Sequence, residues 1–258
     1  MSAIRNHIEG INSTGRLALS IFLTAGFPAI EGFTRLAKSV LDAGADMIEL
    51  GIPFSDPLAD GPVIQHSSMK ALANGVNMKN VFLFADEIAS YSAKPVILMG
   101  YANPLLKYGL KNFYSDCINS GVKGIIIPDI PAEEYDDFFK GKPKGLDAVL
   151  LAAPTSGSER IKMIDAKSRG FVYCVSTTGT TGAGSIKKDE TIKSISVTRK
   201  NVTQNKMMVG FGISTPEDIK TFAPYCDGVI VGSALIKYIN NYGPLETPDF
   251  IRGLAGAL

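Results

Sequence analysis

Histidine and cysteine are scarce in this sequence, and neither sign of charge is in excess. The two histidines, His7 and His66, stand far apart, so no His-x3-His pair is available and a histidine-built metal site is excluded. The three cysteines, Cys117, Cys174 and Cys226, are scattered with no CxxC, which predicts reduced thiols and no disulfide framework. Lys and Arg number 26 against 25 Asp and Glu, so there is no net field toward nucleic acid or an anionic membrane. No apolar run reaches membrane-spanning length, and the opening MSAIRNHIEGINSTGRLA lacks the apolar core of a signal peptide. A soluble cytoplasmic enzyme with no metal site is the expectation. A dinucleotide-binding glycine loop is missing too: TAGFPA after the first apolar run is not G-x-G-x-x-G.

What is present is a repeated alternation. Ile4, Ile8 and Ile11 sit at helical spacing in a short opening helix. Apolar strands then read at 17–23, 47–52, 95–104, 123–131, 146–154, 171–176, 206–214 and 226–234. Helices read at 29–43 (Phe33, Leu36, Ala37, Val40 and Leu41 on one face), 63–74, 78–91, 107–120, 132–140 and 158–168. Strands apolar on both faces indicate a parallel sheet covered on both sides. Eight such units in 258 residues predict a single α/β domain spanning residues 1–258, a (β/α)8 TIM barrel with an extra N-terminal helix. The rival, an open doubly wound sheet, is disfavoured by the missing glycine loop.

The stretch ELGIPFSDPLADGPVIQ, Glu49 to Gln65, stands apart. Glu49 interrupts an apolar strand, and a buried carboxylate without a partner is costly. It reads either as a strand-end glutamate paired with Lys or Arg, or as a functional group. Asp56 and Asp60 follow on a loop stiffened by Pro53, Pro57 and Pro62, an arrangement that could bring two carboxylates to one cleft for general acid–base work. In a barrel the working face collects at the C-terminal strand ends: Phe22, Thr24, Glu49, Tyr101, Asn103, Asp129, Tyr173, Ser176, Gly212, Gly232 and Ser233. GFGIS and VGSA put glycines where backbone can approach a ligand, and Ser233 opens a helix whose free N–H groups suit a phosphate; the same glycines also suit simple turns. Residues 177–188, TTGTTGAGSIKK, read as a lid or as a plain connection. No lysine ends a strand, against Schiff-base chemistry. His66 reads as a structural polar residue.

These segments resemble a known family. ELGIPFSDPLADGPVIQ, with IFLTAGFP, MGYANPLL, IIIPDIPAEE, FVYCVS, TGTTGA, VGFGIST and VIVGSALIK in the same order, is similar to the signature of the tryptophan synthase α subunit. The resemblance implies retro-aldol cleavage of indole-3-glycerol phosphate to indole and glyceraldehyde 3-phosphate. It implies no cofactor in this chain, and a pyridoxal-phosphate-dependent β subunit as partner in an α-β-β-α complex. By motif position Glu49 is the acid/base, Asp60 holds the indole N–H, and Tyr173 lies beside Glu49. Phe22, Thr24, Met99, Tyr101, Asp129 and Thr181 are the implied substrate contacts, and Gly182, Gly212, Gly232 and Ser233 the phosphate cradle. Thr180 and Gly184 depart from the family's lid pattern, where an apolar residue and often an arginine are usual. A free-standing lyase and a non-catalytic barrel that activates a β subunit are the alternatives; intact Glu49 and Asp60 argue against the second.

Overall fold

The structure is a computed structural model and describes residues 2–176 and 188–258. Among these, eight strands pair in parallel and in sequence order into a closed barrel. They are β1 (Ala18–Thr24), β2 (Met47–Gly51), β3 (Val96–Met99), β4 (Gly124–Ile126), β5 (Asp147–Ala152), β6 (Phe171–Val175), β7 (Lys206–Gly210) and β8 (Gly228–Val231). Closure runs through β1 and β8, with Ala18 opposite Gly228 and Ile21 opposite Val231. Side chains alternate across each strand. Ala18, Met47, Ile97, Val149, Phe171, Met208 and Ile230 fill the interior, while Leu19, Ile21, Leu23, Ile48 and Leu50 face the helices. The fold is the (β/α)8 barrel the alternation predicts.

The opening helix α1 (Ala3–Asn12) is capped by Ser2, whose side chain accepts from the Arg5 N–H. Its buried Ile4 and Ile8 join the interior cluster from the end opposite the strand C-termini, closing the barrel floor. Gly124 makes room for this plug: a Cβ there would stand 2.6 Å from Ile4 Cδ1. The outer helices are α2 (Phe33–Asp42), α3 (Pro62–Ala73), α4 (Met78–Tyr91), α5 (Ala102–Tyr108), α6 (Leu110–Asn119), α7 (Tyr135–Phe138), α8 (Ser158–Lys167), α9 (Lys188–Asn201), α10 (Pro216–Phe222), α11 (Ser233–Tyr242) and α12 (Thr247–Ala255). In α2 the five apolar residues of the predicted face are all buried.

Three segments differ from the sequence expectation. Asn103-Pro104 reads as a turn, yet it lies in the first turn of α5, where proline's missing N–H has no helical partner to lose. The predicted helix 107–120 is split at Gly109, whose φ of 89° suits glycine. Strand β4 is also shorter than the apolar run 123–131, because Pro128 and Asp129 turn the chain after Ile127.

Candidate active site

Glu49 is the central side chain. It sits two residues above Met47 on the inward face of β2 and is completely buried. Ser20 Oγ donates to its Oε1 at 2.8 Å, while Oε2 is buried with no hydrogen-bond partner. Among the described residues no Lys or Arg forms an ion pair with it, so the paired-glutamate reading is not what the fold builds. Burial pushes its pKa up to about 8, with the Ser20 hydrogen bond pulling the other way. At neutral pH the side chain is mainly the acid.

Asp60 approaches from the loop between β2 and α3. The loop is tightened by a turn in which the Asp60 N–H donates to Pro57 O at 3.0 Å, and Pro62 starts α3. Tyr101, the N-cap of α5 just past β3, braces the loop: its hydroxyl faces the Asp60 carboxylate and accepts the Ala59 N–H at 3.1 Å. Its ring lies 5.6 Å from that of Phe54. Burial raises the Asp60 pKa to about 6, with Tyr101 opposing the rise. The two carboxyls thus stand apart chiefly through their surroundings, one held as acid and the other ionised at pH 7.

Glu49 and Asp60 line one cavity at the C-terminal ends of the strands, together with Phe22, Met99 and Tyr173. Tyr173 is buried, and burial, followed by the negative charge of Glu49 and Asp60, raises its hydroxyl pKa. Two glycines are explained by rings packed against them. A Cβ on Gly210 would overlap the Tyr173 ring and hydroxyl, and one on Gly51 would overlap the Phe22 ring. Gly212, Gly232 and Ser233 line the same cavity, with Gly232 against Phe22. Phe211 and Gly212 both have positive φ, 69° and 78°, and Ser176 Oγ donates to Phe211 O. Gly232 is the N-cap of α11 and brings no side chain to it, so the helix N-terminus meets the cavity as bare backbone.

Not every predicted residue is brought there. The Thr24 hydroxyl is engaged by Ser67 Oγ on α3 at 2.6 Å. Asp129 is exposed and caps α5, accepting the Ala102 N–H at 3.0 and 3.1 Å. Neither lines the cavity, and Tyr101 stands behind Asp60 rather than in the wall. Thr181, Gly182 and the lid departures Thr180 and Gly184 lie outside the described residues. Ile64, Phe211, Ile213 and Ile230 line the cavity although the strand-end rule does not single them out. For Ile230 a signal is present in the sequence: it is the inward position two residues before Gly232. Among the described residues no group of three His, Cys, Asp or Glu side chains could hold a metal ion, and no helix is long and apolar enough to cross a membrane.

A family model described as tryptophan synthase alpha chain matches residues 8–249. The chain belongs to the tryptophan synthase alpha chain family. The alpha chain of Petrotoga mobilis is 44% identical over 224 residues, 86% of each chain. That of Dehalococcoides mccartyi is 44% identical over 245 residues, 94% of this chain and 96% of its own. Among solved structures, the tryptophan synthase subunit alpha of Legionella pneumophila superposes with a TM-score of 0.89 at 35% identity, covering 100% of this chain and 98% of its own. Residues 49–65 supply both carboxyls of the cavity.

Proposed function

We propose that this chain cleaves indole-3-glycerol phosphate to indole and glyceraldehyde 3-phosphate, acting as a carbon–carbon lyase with Glu49 as acid/base. The observation that carries the reading is the pair of carboxyls across one cavity, Glu49 held protonated and Asp60 ionised near pH 7. Glu49 gives its proton to the indole ring carbon that bears the side chain. Asp60 accepts a hydrogen bond from the indole N–H and balances the positive charge that develops on the ring. The resulting Glu49 carboxylate takes the proton of the neighbouring side-chain hydroxyl. The carbon–carbon bond breaks, its electrons restore the aromatic ring, and the aldehyde forms. Each turnover returns Glu49 to its starting state. Phe22 and Met99 supply apolar wall for the indole, and Tyr173 packs beside Glu49. Gly212, in the loop after β7, and Gly232 and Ser233, at the α11 N-terminus, receive the phosphate through backbone N–H groups.

The chemistry needs no cofactor here; pyridoxal phosphate belongs to the β subunit that would take the indole, in an α-β-β-α complex in the cytoplasm. The surface that suits this partner is formed by the 53–60 and 101–110 segments, where Leu58 and Leu106 are 88% and 56% exposed beside a groove lined by Pro53, Phe54, Pro104 and Tyr108. The deciding experiment is indole release from indole-3-glycerol phosphate by the purified chain, with and without a cognate β subunit. Slow release alone and a large gain with the partner is the expected result. Fast release with no gain would indicate an independent lyase, and no release in either case would overturn the reading.

A further inference from the structure

The rule that strand ends carry the chemistry passes over Ser20, which lies two residues before Phe22 on β1. It is completely buried, and a buried hydroxyl in an apolar strand needs a partner. That partner is Glu49, whose Oε1 accepts from Ser20 Oγ at 2.8 Å. Ser20 pairs with Met47 in the register, and Phe22 with Glu49, so the hydroxyl reaches Glu49 from one inward step below. The geometry points to Ser20 as a positioning residue that holds Glu49 Oε1 and leaves Oε2 as the oxygen exchanging protons with substrate. This rests on the acid/base reading of Glu49.

Oε2 is buried and without a hydrogen-bond partner, in a side chain that lines the cavity; a substrate is what would give it one. Ser20 can donate to Oε1 whether the carboxyl is protonated or ionised, but the bond becomes charge-assisted and stronger once the proton has left. It therefore favours the carboxylate that each proton transfer creates, against the burial that favours the acid. The titratable groups facing Glu49 are Tyr173 from β6 and Asp60 from the loop after β2, and neither stabilises a negative charge as a cation would. No Lys, Arg or His lines the cavity among the described residues. Ser20 is left as the group that steadies the ionised form.

The test uses the full chain with carbon-13 in its glutamate carboxyls, the Glu49 signal being assigned by its loss in Glu49→Gln. Carboxyl titration without substrate reads the Glu49 pKa, and kcat/KM against pH reads the same group at work. Ser20→Ala is expected to raise the Glu49 pKa by about one, move the basic limb of the profile by the same amount, and lower kcat about tenfold. Ser20→Cys, similar in size with a weaker donor, should fall between. An unmoved pKa and basic limb in Ser20→Ala would overturn the assignment, whatever happens to Tm. Retained turnover in Glu49→Gln would remove Glu49 from the reaction and overturn both readings. Lost turnover in Glu49→Gln with a silent Ser20→Ala overturns the role of Ser20 alone.

Discussion

Glu49 and Asp60 reach different protonation states at the same pH because burial acts on them unequally. Full burial with one neutral donor lifts Glu49 to about 8, and partial burial beside Tyr101 lifts Asp60 to about 6. If the acid is Glu49 and the electrostatic partner Asp60, kcat/KM for indole release should rise through an apparent pKa near 6 and fall through one near 8. A profile flat from pH 6 to 9 would contradict that division of roles. Glu49→Gln should reduce kcat by about 10²–10⁴-fold while leaving the fold intact. The same variant makes a stability prediction. Between about pH 4.5 and 8 the folded protein keeps a Glu49 proton that the unfolded chain has lost, so ν_U − ν_N is negative and stability falls as pH rises through that window. A tenfold difference in proton affinity between the folded and unfolded chain is worth about 1.4 kcal/mol. Glutamine does not titrate, so Glu49→Gln should melt above the parent at pH 9, with the gap closing toward pH 4.5; thermal melts across pH read this directly. Asp60 keeps its own, smaller loss between about 3.8 and 6 in both proteins.

At the scale of elements, the site depends on how closely β6 and β7 pack. Gly210 lies beneath the Tyr173 hydroxyl, with no space for a methyl group. Gly210→Ala should push the tyrosine off its position, cost about 1–3 kcal/mol of stability and lower kcat/KM at least tenfold. A wild-type rate would show that Tyr173 does not shape the cavity. Away from the cavity, Asp165 at the end of α8 ties down the turn before β7. It accepts the N–H groups of Thr203, Gln204 and Asn205 at 2.7, 2.8 and 3.0 Å and is buried. Asp165→Ala should cost about 1–3 kcal/mol, since three N–H groups lose one buried, charged acceptor together, yet leave the pH profile unchanged; denaturant titration and kinetics separate the two effects. Such ties are not legible along the chain, because an aspartate in the polar sequence of α8 carries no mark of the turn it will meet. The cap of α10 is legible in principle. Thr215-Pro216-Glu217-Asp218 forms a capping box with proline at the first helical position, a start signal that counting strands passes over.

For the molecule as a whole, a closed barrel separates a floor from a working face. The floor is plugged by α1, and the face carries the cavity and, beside it, the exposed Leu58 and Leu106. If that face receives the β subunit, Leu106→Glu should weaken mutual activation severalfold, measured as indole release with added partner. Release by the isolated chain should stay at its parent rate, because Leu106 does not line the cavity. Equal activation of variant and parent would move the interface elsewhere.

The architecture and the segment that brings two carboxyls to one cavity are both legible along the chain. Eight apolar strands between amphipathic helices have few ways to bury both faces, and Glu49 in an apolar strand before a proline-braced loop marks itself by its cost. Which neighbours those residues meet is settled only on folding. Thr24 and Asp129 sit at strand ends as readily as Phe22 does, yet Ser67 and the α5 N-terminus engage them. Ser20, below the strand end, meets Glu49 instead. The physical reason is that strand alternation and helix periodicity are local and readable along the chain, whereas a hydrogen-bond partner is set by inter-strand register and by which loop closes over the barrel mouth.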